Sequence, residues 1–531
     1  MKTKNINKAG ATILSLPFIL GMSPIDKPKE DKTKSSPNIL IVLVDDMGYG
    51  HLGANYENYD ESNVNQDILA RSNSRRDSYS LEMAIEATQN SMPTLQKLVS
   101  EGVRFTDSHV ANSLSAPSRA GILTGMYPQR FGIYNNTDMN SNGVPEDELL
   151  LPELFQDNGY KTAMFGKWHI GRYDQEKSGF AYDGQHPNDR GFDYYFGFNK
   201  SGTQYYESEI LFRNKTRAKA EGYLTDQLTN EARSYLEKLD NDDQFFMYLA
   251  YNCPHGPLNQ FAPEEYDSKF QELPKVLRIW NSYMFAVDEG IRRIMETLEE
   301  KNMLDNTLIV FLSDNGASGG TPLPANGYYR SHKGSLYMGG TRSGMMAWWP
   351  GKIPAGSVCE QLISSMDVIP TCLDACNIDI PKSADLNGKS MLPLITGKSK
   401  KAIHENLVWA NRNSLSWSYP GDKNRNVPAA WTIKNDEWIL HYWSGKDEFT
   451  LYNCRTDIAE RNDVSDSNPD IVKQMADDYA SRFKSFVPPL TWEKDVWYGL
   501  KPKADLTKEE AIILKEKNGL LMSGEPVRRK R

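Results

Sequence analysis

Short runs of apolar, β-branched residues punctuate the first part of the chain, and each hands over to a polar cluster. Pro37-Asn-Ile-Leu-Ile-Val-Leu-Val44 leads into Asp45-Asp46, and Tyr160-Lys-Thr-Ala-Met-Phe165 into Gly166-Lys167-Trp168-His169. Phe245-Phe-Met-Tyr-Leu-Ala250 precedes Pro254-His255-Gly256, and Thr307-Leu-Ile-Val-Phe-Leu312 precedes Asp314-Asn315-Gly316. Continuous apolar runs of this length predict strands buried on both faces, as in a parallel sheet. Between the last two, Met284, Val287, Ile291, Ile294 and Leu298 recur at helical spacing and predict an amphipathic helix. The alternation predicts an α/β fold with a large, mostly parallel central sheet and helices on both sides. Ligands of open α/β sheets bind beyond the carboxyl ends of the strands, so the polar clusters predict one site along that edge.

Past residue 400 the pattern changes. Trp431-Thr-Ile-Lys-Asn-Asp-Glu-Trp-Ile-Leu-His-Tyr-Trp443 and Phe449-Thr-Leu-Tyr452 alternate apolar and polar residues, as antiparallel hairpin strands do, and a helix follows at 468–485. The chain therefore divides into a main domain at 37–400 and a smaller α+β subdomain with an antiparallel sheet at 401–531. The charged tail from 503 reads as a solvated or frayed end. At the other terminus, Lys2, Lys4 and Lys8 precede an apolar run up to Met22 that is too short to span a bilayer. Residues 1–22 read as a secretory signal, with a disordered cytoplasmic tail as the alternative, and 23–36 as a linker. No stable membrane insertion is expected.

With 531 residues, 39% hydrophobic and 25% charged, the composition is that of a globular protein of two or three domains, or of one large α/β unit. A net charge of -9 argues against nucleic-acid binding but allows a locally basic site. The five cysteines are scattered and suggest no disulfide framework, and Cys372 and Cys376 read as core thiols.

Asp45 and Asp46 would point to opposite faces within a regular strand, so their convergence requires the turn that Gly48 and Gly50 allow. With Asp314 and Asn315 they offer hard oxygen ligands that suit calcium better than zinc. Either pair alone also reads as a turn cap. Ser115-Ala-Pro-Ser-Arg119 reads as a turn entering a helix, with Ser115 or Ser118 capping and Arg119 one helical turn beyond Ser115.

Extended through Ala120-Gly-Ile-Leu-Thr-Gly125, that segment resembles, at every defined position, the maturation signature of the type I sulfatases, Cys/Ser-x-Pro-Ser-Arg-x-x-x-Leu-Thr-Gly. Further motifs follow in family order. Pro37-Asn-Ile through Asp45-Asp46-Met-Gly-Tyr-Gly50 resembles the opening strand and calcium pair, and Gly166-Lys-Trp-His-Ile-Gly171 the family's Gly-Lys-Trp-His-Leu-Gly. Pro254-His-Gly-Pro257, Ser313-Asp-Asn-Gly316, and Lys333-Gly-Ser335 with Gly339-Gly-Thr-Arg342 complete the set. The resemblance implies an alkaline-phosphatase-like sandwich and a Cα-formylglycine made from Ser115, whose hydrated aldehyde is the nucleophile. It implies one calcium per chain on Asp45, Asp46, Ser115, Asp314 and Asn315. Arg119 and Lys167 would steady the hydrate, His255 and Lys333 would bind sulfate and assist the leaving alcohol, and His169 would take the proton that releases sulfate. A fixed cation aimed at oxygens that gain charge lowers such a barrier.

The chain departs from the family in three places. A serine at the modified position implies a bacterial, serine-type maturase as a partner. His51 stands where the family often has Asp. The segment 54–91 is longer than usual, either a lid that contributes to substrate choice or a plain surface loop. A secretory signal with a serine-type nucleophile points to a periplasmic enzyme acting on a sulfated sugar. His186, Asp189 and Arg190 are candidate specificity residues, and the aromatics at 192–198 with Tyr205 and Tyr206 are either sugar-facing or core. The rival readings are a phosphate or phosphonate ester hydrolase of the same superfamily, and an inactive sulfated-glycan binder.

Overall fold

The computed structural model describes residues 36–56, 58–66, 69–70, 79–174, 179–412, 429–489, 491 and 497–522. The expected signal at 1–22, residues 23–35 of the expected linker and parts of the 54–91 segment lie outside this set.

In chain order the strands of the first part are β1 (Asn38–Val44), β2 (Val103–Phe105), β3 (Ser108–His109), β4 (Lys161–Lys167), β5 (Tyr194–Phe198) and β6 (Phe212–Arg213). They continue with β7 (Thr216–Arg217), β8 (Phe245–Ala250), β9 (Thr307–Ser313), β10 (Met345–Trp348), β11 (Ser357–Cys359) and β12 (Ile363–Ser364). Among the described residues one ten-stranded sheet runs in the order β11-β2-β10-β9-β1-β8-β4-β5-β6-β7. Its central block, β9-β1-β8-β4-β5, is parallel. β10 runs antiparallel to β9 and β2, and β6 and β7 close the far edge antiparallel.

Alternate residues of β1 divide between two cores. Leu40, Val42 and Val44 pack with residues of the helices Leu224–Lys238 and Lys275–Glu300. Ile39, Ile41 and Leu43 pack with the helices Ser115–Thr124, Leu151–Asp157 and Val368–Ala375. All six are fully buried, each removing apolar surface worth about 1.5–3 kcal/mol. The expected amphipathic helix is the long one, and its buried face includes Met284, Val287, Ile291, Ile294 and Leu298. The free thiols of Cys372 and Cys376 lie in the second core.

β13 (Leu407–Arg412), β14 (Ala429–Lys434), β15 (Trp438–Trp443) and β16 (Glu448–Asn453) form the separate antiparallel sheet. The helix Pro469–Phe483 lies on it, with the Tyr479 and Trp431 rings stacked at 3.9 Å. This core also takes in Tyr49, Tyr127, Tyr337 and Met338 from the first part. The described part of the tail is largely solvated, as expected, but ordered: it carries a helix, Lys508–Met522, with Lys501 paired to Glu510 at 2.8 Å and Leu514 buried.

The described part of the 54–91 segment is not a plain surface loop. Tyr59, Val64, Leu69, Tyr79, Leu81 and Ala84 form a core with Leu277, Ala317, Leu323 and Ala325. Asn65 donates from its backbone to Gly327 O at 2.9 Å and from its side chain to Tyr329 O at 2.8 Å. The segment thus braces the loop that precedes Lys333.

β4 runs close against both neighbours. Gly166 has φ +100°, and a Cβ there would lie 1.9 Å from Ala250 O; one at Gly197 would lie 1.9 Å from Gly166 O. Gly166→Ala is expected to cost about 3 kcal/mol or more in a denaturant titration. Gly159→Ala, also at positive φ (+84°) but with nothing within 4 Å, should cost only about 1 kcal/mol.

Candidate active site

The polar clusters meet where β1, β8 and β9 end. The ladder runs on past the strands, with Asp45 N donating to Cys253 O at 3.0 Å and Asp314 N to Val44 O at 3.1 Å, so the polar ends emerge in register. The turn that brings Asp45 and Asp46 together is made at Asp46 itself, with φ 72°; Gly48 has φ -76°. Gly48 and Gly50 serve close approach instead. A Cβ at 48 would lie 2.1 Å from Ala325 O, and one at 50 would lie 2.8 Å from Pro324 O. His51 supports the same loop. It stacks on Trp280 at 4.0 Å, and its Nε2 accepts from Ala325 N at 3.3 Å. Burial holds its pKa down to about 3, so the ring is neutral.

Ser115 opens the helix Ser115–Thr124, but neither Ser115 nor Ser118 caps it; the N-cap is Leu114, with no side-chain bond. The Ser115 hydroxyl turns instead into the acidic cluster, 3.0 Å from Asn315 Oδ1 and 3.3 Å from Asp45 Oδ1. One turn on, Arg119 donates from Nε to Asp314 Oδ2 at 3.0 Å and from Nη1 to Lys167 O at 3.1 Å. Its Nη2 lies 2.9 Å from Asp314 Oδ2 and 3.4 Å from Asp45 Oδ2. Lys167 Nζ is 2.6 Å from Asp45 Oδ2, and Lys333 Nζ is 2.6 Å from Asp46 Oδ1. Asn315 Nδ2 donates to Asp46 Oδ1 at 2.7 Å, and Asp46 N to Asp314 Oδ1 at 3.3 Å.

His255 Nε2 stands 4.0 Å from Asp46 Oδ2, and its Nδ1 is 2.7 Å from Gly256 O. Tyr205, a candidate sugar-facing residue, is buried and donates its hydroxyl to His255 O at 3.0 Å. It therefore holds the His255 loop. His169 sits at φ 56° and is 1% exposed, and among the described residues neither ring nitrogen has a hydrogen-bond partner. Two unpartnered nitrogens on a buried ring fit a site built around a group the protein itself does not supply.

Electrostatics follow from this packing. Burial opposes ionisation of Asp45, but Lys167, His255 and Arg119 pull its carboxyl down to about 2. Asp46 is likewise lowered, against burial, by Lys333 and His255. Burial, then Lys167 and Arg119, push His169 well below the usual imidazole range, so it stands neutral and able to accept a proton. Burial lowers the Lys167 pKa, whereas Asp46 and Asp45 raise that of Lys333 against burial. Asp45, Asp46 and His255 present donor atoms within 4.8 Å of one another. With Asp314, Asn315 and Ser115 nearby, the donor set is dominated by the hard oxygens that calcium favours.

The candidate specificity residues make other bonds. Arg190 is buried, pairs with Glu153 at 3.0 Å and donates to Glu148 O at 2.5 Å. Asp189 pairs with Lys215 at 2.5 Å. His186 Nδ1 accepts from Asn188 N at 3.1 Å and so caps a short 3-10 turn. Among the described residues, no hydrogen bond or ion pair joins these three to the cluster.

Sequence reasoning missed the supports behind it. Glu460 accepts from Met338 N at 2.8 Å, pairs with His441 at 2.8 Å, and offers its carbonyl to Arg330 at 2.8 Å. Asn411 lies 2.8 Å from both Asn112 and Ser113, and Ser113 O accepts from Gly334 N at 2.8 Å. Neither residue belongs to a recognisable motif, and each acts across more than 100 positions.

A family model, Sulfatase, matches residues 37–378, and a second, N-sulphoglucosamine sulphohydrolase, C-terminal, matches 327–484. An uncharacterized sulfatase of Escherichia coli, YdeN, is 38% identical over 504 residues, which cover 87% of this chain and 88% of that protein. Human N-acetylgalactosamine-6-sulfatase is 30% identical over 396 residues, covering 68% of this chain and 66% of the human enzyme. The solved structure of Ps i-CgsB in complex with a k-i-k-neocarrahexaose superposes with a TM-score of 0.70 at 27% identity, covering 90% of this chain and 99% of that one. The buried cluster of carboxylates and cations lies within the segment that the first model matches, and on both grounds the chain belongs to the sulfatase family and is a sulfuric ester hydrolase.

Proposed function

We propose that the protein is a secreted, periplasmic, calcium-dependent sulfatase that removes a sulfate ester from a sulfated sugar, using a nucleophile formed from Ser115 by a serine-type maturase. The carrying observation is the setting of Ser115. The residue is 1% exposed and its hydroxyl touches Asp45 and Asn315, while His169, the candidate base, makes no hydrogen bond among the described residues. An unmodified serine so placed lacks the adjacent base that a hydroxyl nucleophile requires.

Cα-formylglycine at position 115 would supply two oxygens on one carbon, one to attack sulfur and one to expel sulfate. Calcium would be held by Asp45, Asp46, Asp314, Asn315 and residue 115, and would act there as a Lewis acid. The remaining work falls to the chain's own side chains. Arg119 and Lys167 orient the oxygens of residue 115, Lys333 and His255 face the sulfate and the departing alcohol, and neutral His169 accepts a proton. The sugar assignment draws on the named relatives, one an N-acetylgalactosamine-6-sulfatase by its name and one solved in complex with a k-i-k-neocarrahexaose.

Mass spectrometry of the peptide containing Ser115, from protein made with a serine-type maturase, should show the loss of two hydrogens; an intact serine alongside full turnover would sink the reading. Chelation with EDTA should lower the Tm by several degrees and abolish turnover. Calcium should restore both, whereas in Asp46→Asn the calcium-induced Tm shift should shrink or vanish. His169→Ala should lower kcat by about 10²–10⁴-fold with KM little changed. A variant that keeps wild-type kcat would remove His169 from the proton transfer.

A further inference from the structure

The basic side chains around the carboxylate cluster are not held equally. Arg119, Lys167 and Lys333 lie 2.9, 2.6 and 2.6 Å from a carboxylate oxygen. His255 has no such tie. Its Nε2 stands 4.0 Å from Asp46 Oδ2, its Nδ1 meets the carbonyl of the next residue at 2.7 Å, and its side chain is 29% exposed. Where this ring stands therefore depends on where its backbone is held. The loop after it contributes little packing of its own, since Gly256, Pro257, Asn259, Gln260 and Phe261 are exposed.

Three tyrosine hydroxyls from elsewhere in the chain hold that loop. Tyr205, between β5 and β6, shares its proton between Asn252 O at 3.2 Å and His255 O at 3.0 Å. His255 N donates to Asn252 O at 2.9 Å, so one hydroxyl grips both ends of the turn that sets the ring. Tyr206 donates to Phe261 O at 2.9 Å, and Tyr283, on the helix Lys275–Glu300, donates to Gln260 O at 3.2 Å. The rings form one cluster. Tyr205 meets Tyr283 edge to face at 4.4 Å, and Tyr223 lies 5.9, 5.2 and 5.5 Å from Tyr205, Tyr206 and Tyr283. The Tyr223 hydroxyl makes no hydrogen bond among the described residues, so it belongs to the cluster without touching a loop carbonyl.

This clamp has a chemical use. A carbonyl can only accept, so the Nδ1 that faces Gly256 O carries a hydrogen, and Nε2 is the nitrogen left to pass a proton. Such a transfer depends on placement, and a displacement of about 1 Å can cost about 10²-fold in rate. We infer that Tyr205 is a positioning residue for His255, holding Nε2 where its proton passes to the bridging oxygen of the ester as the S–O bond breaks. The electron pair of that bond goes to the same oxygen, the alcohol leaves, and His255 is left as a neutral imidazole. Tyr206 and Tyr283 keep the rest of the loop from carrying the turn away. This inference deepens the proposed function and rests on the role given there to His255.

The test compares Tyr205→Phe, which keeps the ring and its contacts, with Tyr223→Phe, which removes a hydroxyl from the same cluster without releasing the loop. Both are matured alongside the wild type. The probes are galactose 4-sulfate and N-acetylgalactosamine 6-sulfate, whose sugar alcohols need a proton to leave, and 4-nitrophenyl sulfate, whose phenolate leaves without one. Tyr205→Phe should lose about tenfold or more in kcat on a sugar sulfate, with KM little changed, and stay within about twofold on the aryl ester. Tyr223→Phe should stay within about twofold on both. Equal losses on sugar and aryl esters, or no loss on the sugar ester, overturn the proposal. If the wild type does not turn over the aryl ester, a double-mutant cycle decides. Tyr205→Phe should cost little further in a His255→Ala background, and the same loss in both backgrounds overturns the proposal.

If no probe is turned over by protein modified at Ser115, the functional reading fails separately. Hydrogen exchange of the peptide 252–261 then decides the positioning, as it does where His255→Ala is too slow to measure. Faster exchange in Tyr205→Phe than in Tyr223→Phe supports the clamp, and equal exchange overturns it.

Discussion

Three carboxylates, Asp45, Asp46 and Asp314, are held together in a space from which water is nearly excluded, and the surrounding architecture answers that charge. Removing one ion from water costs several kcal/mol, and leaving it unpaired costs about 3–5 kcal/mol. Arg119, Lys167 and Lys333 balance the three, each arriving from a different part of the chain. Arg119 fixes how closely the helix Ser115–Thr124 approaches, Lys167 fixes the exit of β4, and Lys333 anchors the loop between β9 and β10. Three charges against three leave the cluster neutral. A divalent cation would then turn it positive, the sign needed to stabilise an anionic ester as its bond breaks.

The parts of this arrangement that obey local rules were legible in the sequence. β1, β4, β8 and β9 announced themselves as apolar runs because a strand covered on both faces has no polar side to show. Arg119 could be placed near Ser115 from helical spacing alone. The turn at Asp46 could not, because nothing distinguishes an aspartate that adopts φ 72° from one that leaves the work to the glycines after it. Arg190 had the composition of a substrate ligand but is used to hold Glu153 and nearby carbonyls. The difference lies in partners that only the fold brings near.

The second sheet is more than an appendage to the first. Glu460 and His441 grip Met338 at the far end of the Lys333 loop, and Asn411 lies against the residues just before Ser115. Bracing from the 54–91 segment reaches the same loop from the opposite direction along the chain, through Asn65. A site drawn from residues 45 to 333 is thereby locked by residues 65 and 460, so its geometry depends on contacts well outside the motifs that name it.

That enclosure has a consequence for Ser115. With 1% of its surface exposed, beneath Asp45 and Asn315 and at the start of a wholly buried helix, the side chain is out of reach of any second macromolecule once the sheet has closed. A maturase acting on Ser115 as proposed would therefore have to meet a chain still open; the yield of altered protein would be set by a race between folding and modification, and a variant that merely folds faster would leave more molecules unaltered.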